Sequence, residues 1–179
     1  MSGMAERAEL ARQRADGRYD LSRARWGGTN AALAAVSDGT PPAELPVEWR
    51  HWRAGVDFAA LVADLDYLAT SVCYRVGESE TTVFLSLWFG VPLVDESANP
   101  GAGALVAVDS LDDARAVRAA FRAFKGALAD ALTAGDLPPV AAPCVISAWL
   151  RGLAARETHV APPFPPPERL NGMGRPDGT

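Results

Sequence analysis

The chain has 179 residues, 49% apolar and 22% charged, with a formal net charge of -5. That length suits one ordinary core, and the acidic balance argues against a nonspecific nucleic-acid binder, which needs a basic surface to displace counterions from phosphates. Sixteen of the seventeen basic residues are arginine, with Lys125 the only lysine; this reads as the codon bias of a GC-rich genome, not as selection for phosphate contacts.

The opening MSGMAERAELARQR is charged and lacks the apolar centre of a secretory signal, so export by that route is not expected. Residues 6–16 combine good helix formers with alternating charge, which predicts a solvated helix broken by Gly17. Residues 1–18 are therefore expected to be a charged N-terminal helix or arm. A second helix is predicted over residues 21–36, with Asp20 as N-cap, Ser37-Asp38-Gly39 as exit, and Trp26, Leu33 and Val36 on its apolar side. Gly27-Gly28 would weaken its middle.

Paired prolines make residues 40–45 a connector. Pro46 fits the first position of a short helical turn that carries VEWRHWR, residues 47–53, and ends at Gly55. On such a turn Trp49 and Trp52 share one face and Arg50 and Arg53 the next. The central core helix is predicted over residues 57–76, where Phe58, Leu61, Val62, Leu65, Leu68, Ala69, Val72 and Val76 recur at helical spacing.

A turn at Gly77-Glu78-Ser79-Glu80 leads to residues 81–89, TTVFLSLWF, whose alternation fits a strand and whose apolar content fits a buried helix. The helix is preferred because the only other extended candidate is residues 104–108. A small two- or three-stranded sheet around residues 81–108 is the alternative. The apolar run from Val83 to Val94 is about half of what a bilayer span requires and contains Gly90 and Pro92, so no membrane insertion is expected.

Asn99 to Gly103 reads as a loop. From Ser110 a capping pattern opens a long helix that Gly135 closes, with Leu111, Ala114, Val117, Phe121, Phe124, Leu128 and Leu132 as its stripe. A last helix starts at Pro143, points Val145, Trp149, Leu150 and Leu153 inward, and ends near Glu157. Residues 158–179 are Pro- and Gly-rich and are expected to be a disordered tail. The predicted fold class is mainly α: an irregular bundle of about five to six helices forming one globular domain over residues 19–157.

The candidate sites are weak as chemistry. In VEWRHWR, Trp49 and Trp52 would anchor the turn to the core while Arg50, His51 and Arg53 form a partner-facing rim. Arg115, Arg118, Arg122 and Lys125 make a basic stripe along the long helix, the feature most compatible with an anionic ligand or nucleic acid. Cys73 and Cys144 are too few for a disulfide framework and read as reduced, buried thiols. Cys144 at the start of the last helix would need a base that His51 or His159 cannot be shown to supply. Asp64 and Asp66 diverge on a helix, and Asp95-Glu96 and Asp112-Asp113 read as loop and helix-start residues. Phe164 to Pro167 resembles a proline-rich docking peptide, but such short patterns arise by chance in proline-rich tails and a passive tail is the preferred reading.

No phosphate-binding glycine loop, nucleophile elbow or metal-ligand spacing is present, so neither a cofactor nor a metal is expected. The leading expectation is a cytoplasmic bacterial accessory, adaptor or regulatory protein acting through protein contacts or self-association. A cofactor-independent enzyme with a helix-lined apolar pocket, using Tyr67, Tyr74, Asp66 or His51, is the alternative. Binding of an anion or nucleic acid through the Arg115 to Lys125 stripe is the third.

Overall fold

Asp16-Gly17 turns the chain back on itself. Arg14 N–H donates to Arg18 C=O at 2.7 Å and Gly17 N–H to Arg14 C=O at 3.0 Å, and Gly17 takes φ 79. This is a three-residue hairpin loop closed by a left-handed glycine. It joins β1 (Glu6–Gln13) to β2 (Tyr19–Trp26), which pair antiparallel from Glu6↔Trp26 to Gln13↔Tyr19. The computed structural model describes residues 6–26, 38–90, 103–153 and 155–161.

β3 (Arg50–Val56) adds antiparallel to β2 with register shifts on either side of Leu21. A short helix, α1 (Phe58–Asp64), then crosses the sheet. β4 (Thr70–Val76) enters beside β1 in the parallel sense, and β5 (Thr81–Trp88) and β6 (Gly103–Val108) continue antiparallel outward. After α2 (Leu111–Ala134) and α3 (Ala142–Arg151), β7 (Thr158–Val160) pairs with β6. The sheet is seven-stranded, in the order β3-β2-β1-β4-β5-β6-β7. It consists of two meanders of like plan, each followed by a helix, meeting at the parallel β1/β4 pair.

Strand alternation gives the sheet two apolar faces. On one, Val72, Tyr74, Leu85 and Val106 pack with Val117, Phe121 and Leu128 of α2 and with Ile146 and Leu150 of α3. Phe124 and Trp149 stack at 5.1 Å between ring centres and lock these two helices together. On the other face, Cys73, Phe84 and Leu105 pack with Leu61 and Val62 of α1 and with Leu65 and Tyr67. Burying each large side chain there contributes about 1.5–3 kcal/mol. The clearance is small: a Cβ on Gly103 would overlap the Tyr67 ring.

This architecture overturns the expected helical bundle. Among the described residues there are three α-helices beside the seven strands. The expected N-terminal helix is β1, a central strand, so partners on both sides outweigh the helix propensity of Glu, Arg, Ala and Leu. The expected second helix begins as β2, and its residues 27–37 lie outside the described residues. Of the helical turn proposed for VEWRHWR, residues 50–53 open the edge strand β3 and residues 47–49 lead into it without forming helix.

The expected helix at 57–76 divides. α1 stops at Asp64, and Asp66 folds the chain: its C=O accepts from Thr70 N–H at 2.9 Å and its carboxylate from Ala69 N–H at 3.1 Å. That side chain competes with the helix for backbone donors. The remainder becomes β4, apolar on both faces and therefore without the alternation that marks a half-buried strand. Residues 81–89, preferred as a helix, supply β5, and the extended alternative at 104–108 is β6.

α2 lies where expected, with Ser110 accepting from Asp113 N–H at 3.1 Å and Gly135 closing it at φ 78. The last helix ends at Arg151 rather than near Glu157, and residues 158–160 are strand, not tail. The remainder of the expected tail, with Phe164 to Pro167, lies outside the described residues, as do Asp95-Glu96, Asn99 and the end of the apolar run beyond Gly90. Among the described residues no helix is long and apolar enough to cross a membrane.

Candidate functional site

The β1–β2 register sets Glu9 directly opposite Arg23. Both side chains stand on the α1 face of the first meander, and β3 brings Trp52 beside them. Glu9 is only 1% exposed. One carboxylate oxygen accepts from Arg23 Nε and the other from Trp52 Nε1 at 3.0 Å. The Arg23 guanidinium lies over the Trp52 ring, 3.7 Å from its centre. Burial raises the pKa of Glu9, and the pairing with Arg23 and Trp52 opposes that rise.

Above this buried group opens a cleft of about 530 Å³, lined by Arg7, Arg23, Arg25, Arg50, Glu48 and Trp52. Arg7 lies 3.6 Å from the Asp66 carboxylate. Arg50 donates from Nε and Nη2 to Glu48, each at 3.2 Å. Four guanidinium groups thus gather on one cleft of a chain whose net charge is -5. Glu9, Glu48 and Asp66 pair with three of them, and Arg25 has no acidic partner among the described residues.

The other face of the same three strands holds a smaller cleft of about 360 Å³, lined by Leu10, Arg12, Asp20, Ser22, Trp49 and His51. Ser22 faces His51 across the strands and Asp20 stands nearby. These are the residue types of a nucleophilic relay, but the bonding is different. Asp20 accepts from Arg14 at 3.3 Å and from Gly55 N–H at 3.2 Å. Among the described residues no side-chain hydrogen bond joins His51 to Ser22 or Asp20, so neither link of a nucleophile, base and orienting group is made.

VEWRHWR contributes to both clefts. Its tryptophans go to opposite faces of the sheet: Trp49, just before β3, donates to Pro42 C=O at 3.0 Å and meets Tyr74 edge-on, while Trp52, within β3, binds Glu9. Arg50, His51 and Arg53 are exposed along β3, and Arg53 reaches Asp64 of α1. The basic stripe on α2 is not a uniform solvated row. Arg115 pairs with Asp112 at 3.1 Å and Arg122 is exposed, whereas Lys125 turns inward to the Trp88 and Gly90 carbonyls, 4.3 Å above the Trp88 ring. Desolvation lowers the pKa of Lys125. Arg118 is half-buried.

The residues expected to line a helical pocket do not converge. Tyr67 and Tyr74 are buried in the clusters on opposite faces, and burial pushes both phenols up. Asp66 is on the turn beside Arg7, and His51 is on the exposed edge. Cys73 is buried on β4, where burial raises its thiol pKa, while Cys144, expected to be buried, is exposed on α3. Among the described residues no three His, Cys, Asp or Glu side chains gather as metal ligands would.

Arg7, Glu9, Arg23 and Arg25 were not singled out in the sequence, because helical periodicity separates residues that strand pairing sets face to face. The signal that finds them is Asp16-Gly17: a hairpin centred there places Glu9 opposite Arg23. No protein-family model, curated protein or solved structure matches this chain.

Proposed function

We propose that this chain is a non-catalytic accessory protein that acts by protein contact, taking an acidic partner surface along the outer edge of β3. The observation that carries the reading is the edge itself. Among the described residues β3 has a strand on one side only, and it exposes Arg50, His51 and Arg53 in a molecule of net charge -5. Charged side chains on an edge strand discourage indiscriminate pairing while leaving a complementary partner free to dock. Trp49 and Trp52 hold the strand from both faces, so the rim is presented on a fixed backbone. The free thiols Cys73 and Cys144 accord with a reducing compartment, and we place the protein in the cytoplasm.

The test is affinity capture from native lysate with the parent chain and with His51→Glu and Arg53→Ser variants of unchanged melting temperature. A partner captured by the parent and lost from both variants is the expected result, and light scattering distinguishes a second copy of the chain from another protein. An identical set of captured proteins with all three baits removes the rim from consideration.

A further inference from the structure

We infer that the arginine cleft is a receptor for a small organic polyanion, and that Arg23 is its central ligand-binding group. The argument starts from how the arginine is held. A guanidinium offers five N–H donors. Glu9 takes the one on Nε, and among the described residues no protein acceptor is recorded for Nη1 or Nη2 of Arg23. The group is held at Nε by a buried carboxylate and lies over the Trp52 ring, and Arg23 lines the cleft. An arginine so held loses little freedom when the fork closes on two oxygens of one anion.

The surroundings select the charge. Arg7 and Arg25 flank Arg23, and Arg25 has no acidic partner among the described residues. Arg50 closes the β3 side with donors left over from its contact to Glu48. Arg7, Arg23 and Arg50 each already hold one carboxylate, of Asp66, Glu9 and Glu48, so an oxyanion bearing two or more negative charges is drawn by Arg25 and by the donors the other three have left over. The volume, about 530 Å³, lies in the range of small-molecule sites rather than that of a lone inorganic ion.

Glu9 is a positioning residue here. It touches no ligand, and its part is to keep the Arg23 fork turned outward, as a buried carboxylate behind a metal-bound histidine fixes the ring. The site shares Arg50 with the β3 rim, whereas His51 and Arg53, the residues altered to test the rim, do not line the cleft.

The experiment uses the full chain at low ionic strength, titrated separately with pyrophosphate and with citrate, and followed by calorimetry and by the indole N–H resonance of Trp52. Saturable binding that shifts this resonance is expected from at least one probe. Preference for pyrophosphate identifies a phosphoryl ligand, and preference for citrate a carboxylate one. Arg23→Gln should weaken binding about tenfold or more, and Glu9→Gln should weaken it while raising the residual salt sensitivity, because the fork is no longer oriented. Arg53→Gln should leave it unchanged. Because the indole shift is read on the unaltered protein, a variant that fails to fold does not leave the question open. Absence of a saturable shift with both probes, or equal affinity in folded Arg23→Gln, overturns the site.

Discussion

The two meanders share a plan and differ in what they bury. In β4, β5 and β6 the central side chains are apolar on both faces: Cys73, Phe84, Leu85, Leu105 and Val106 are all fully buried. In β1, β2 and β3 the α2 face continues this core through Ala8 and Leu10, while the α1 face carries a buried Glu9 with the half-buried Arg23 and Trp52 above it. One meander is a scaffold. The other uses the same strand geometry to hold charge in place, which is what a binding surface requires and a core does not.

Truncation of the scaffold should produce the largest loss. Phe84→Ala is expected to cost about 3–5 kcal/mol, read from the midpoint of urea unfolding, because Phe84 is packed between Phe58 and the His159 ring. Glu9→Ala should cost less, about 1–3 kcal/mol, since it leaves the Trp52 indole without its acceptor while Arg23 can still reach water. If Glu9→Ala proves as costly as Phe84→Ala, the first meander is core rather than site.

The acid response should separate the halves by sign. Asp113 is held below the usual carboxylate range by Arg156, and Glu157 by Arg75. Their folded pKa values lie below the unfolded ones, so their contribution is present above pH of about 4 and lost as pH falls through the depressed values. For Glu9 the folded pKa is raised, so the fold gains relative to the unfolded chain as pH drops toward the unfolded value. Melting temperatures should therefore rise for the parent relative to Glu9→Gln as pH is lowered from neutral toward the unfolded carboxylate value. Below that value both proteins should lose stability together. Melting curves that stay parallel over the whole descent would contradict a raised Glu9 pKa.

The smallest effect is expected on the surface. Arg115→Gln removes an exposed pair with Asp112 and should change stability by no more than about 0.5 kcal/mol, without altering pyrophosphate or citrate binding. A clear loss of either would move attention from the β1–β3 half to α2.

What could be read from the residues follows from where the signals are local. α2 was legible because both ends carry their own stops, Ser110 accepting from Asp113 N–H and Gly135 in the left-handed region. α1 and β4 were not, because Asp66 ends the helix through a side-chain contact without a glycine or proline to mark it. β1 was hidden for the opposite reason, being a central strand written in helix-forming residues. In the candidate site, Trp49, Arg50, His51, Trp52 and Arg53 stood out by composition, and they do border the two clefts or the edge. Their partners Arg7, Glu9 and Arg23 become visible only when the Asp16-Gly17 hairpin sets the register.

The parallel β1/β4 pair also bears on how the chain reaches this state. Each meander has one short turn, at Gly17 and at Gly77, and the strands these turns join are near in sequence, whereas β2 and β3 are joined across residues 27–49 and β5 and β6 across residues 89–102. Arg7 with Thr70 and Arg12 with Val76, by contrast, join partners far apart along the chain. Closing so long a loop costs entropy before any contact offsets it. Among the described residues the β1/β4 seam therefore joins the strands with the greatest closure cost, and Glu9, which pairs with Cys73 across it, ties the charged group of the first meander to that seam.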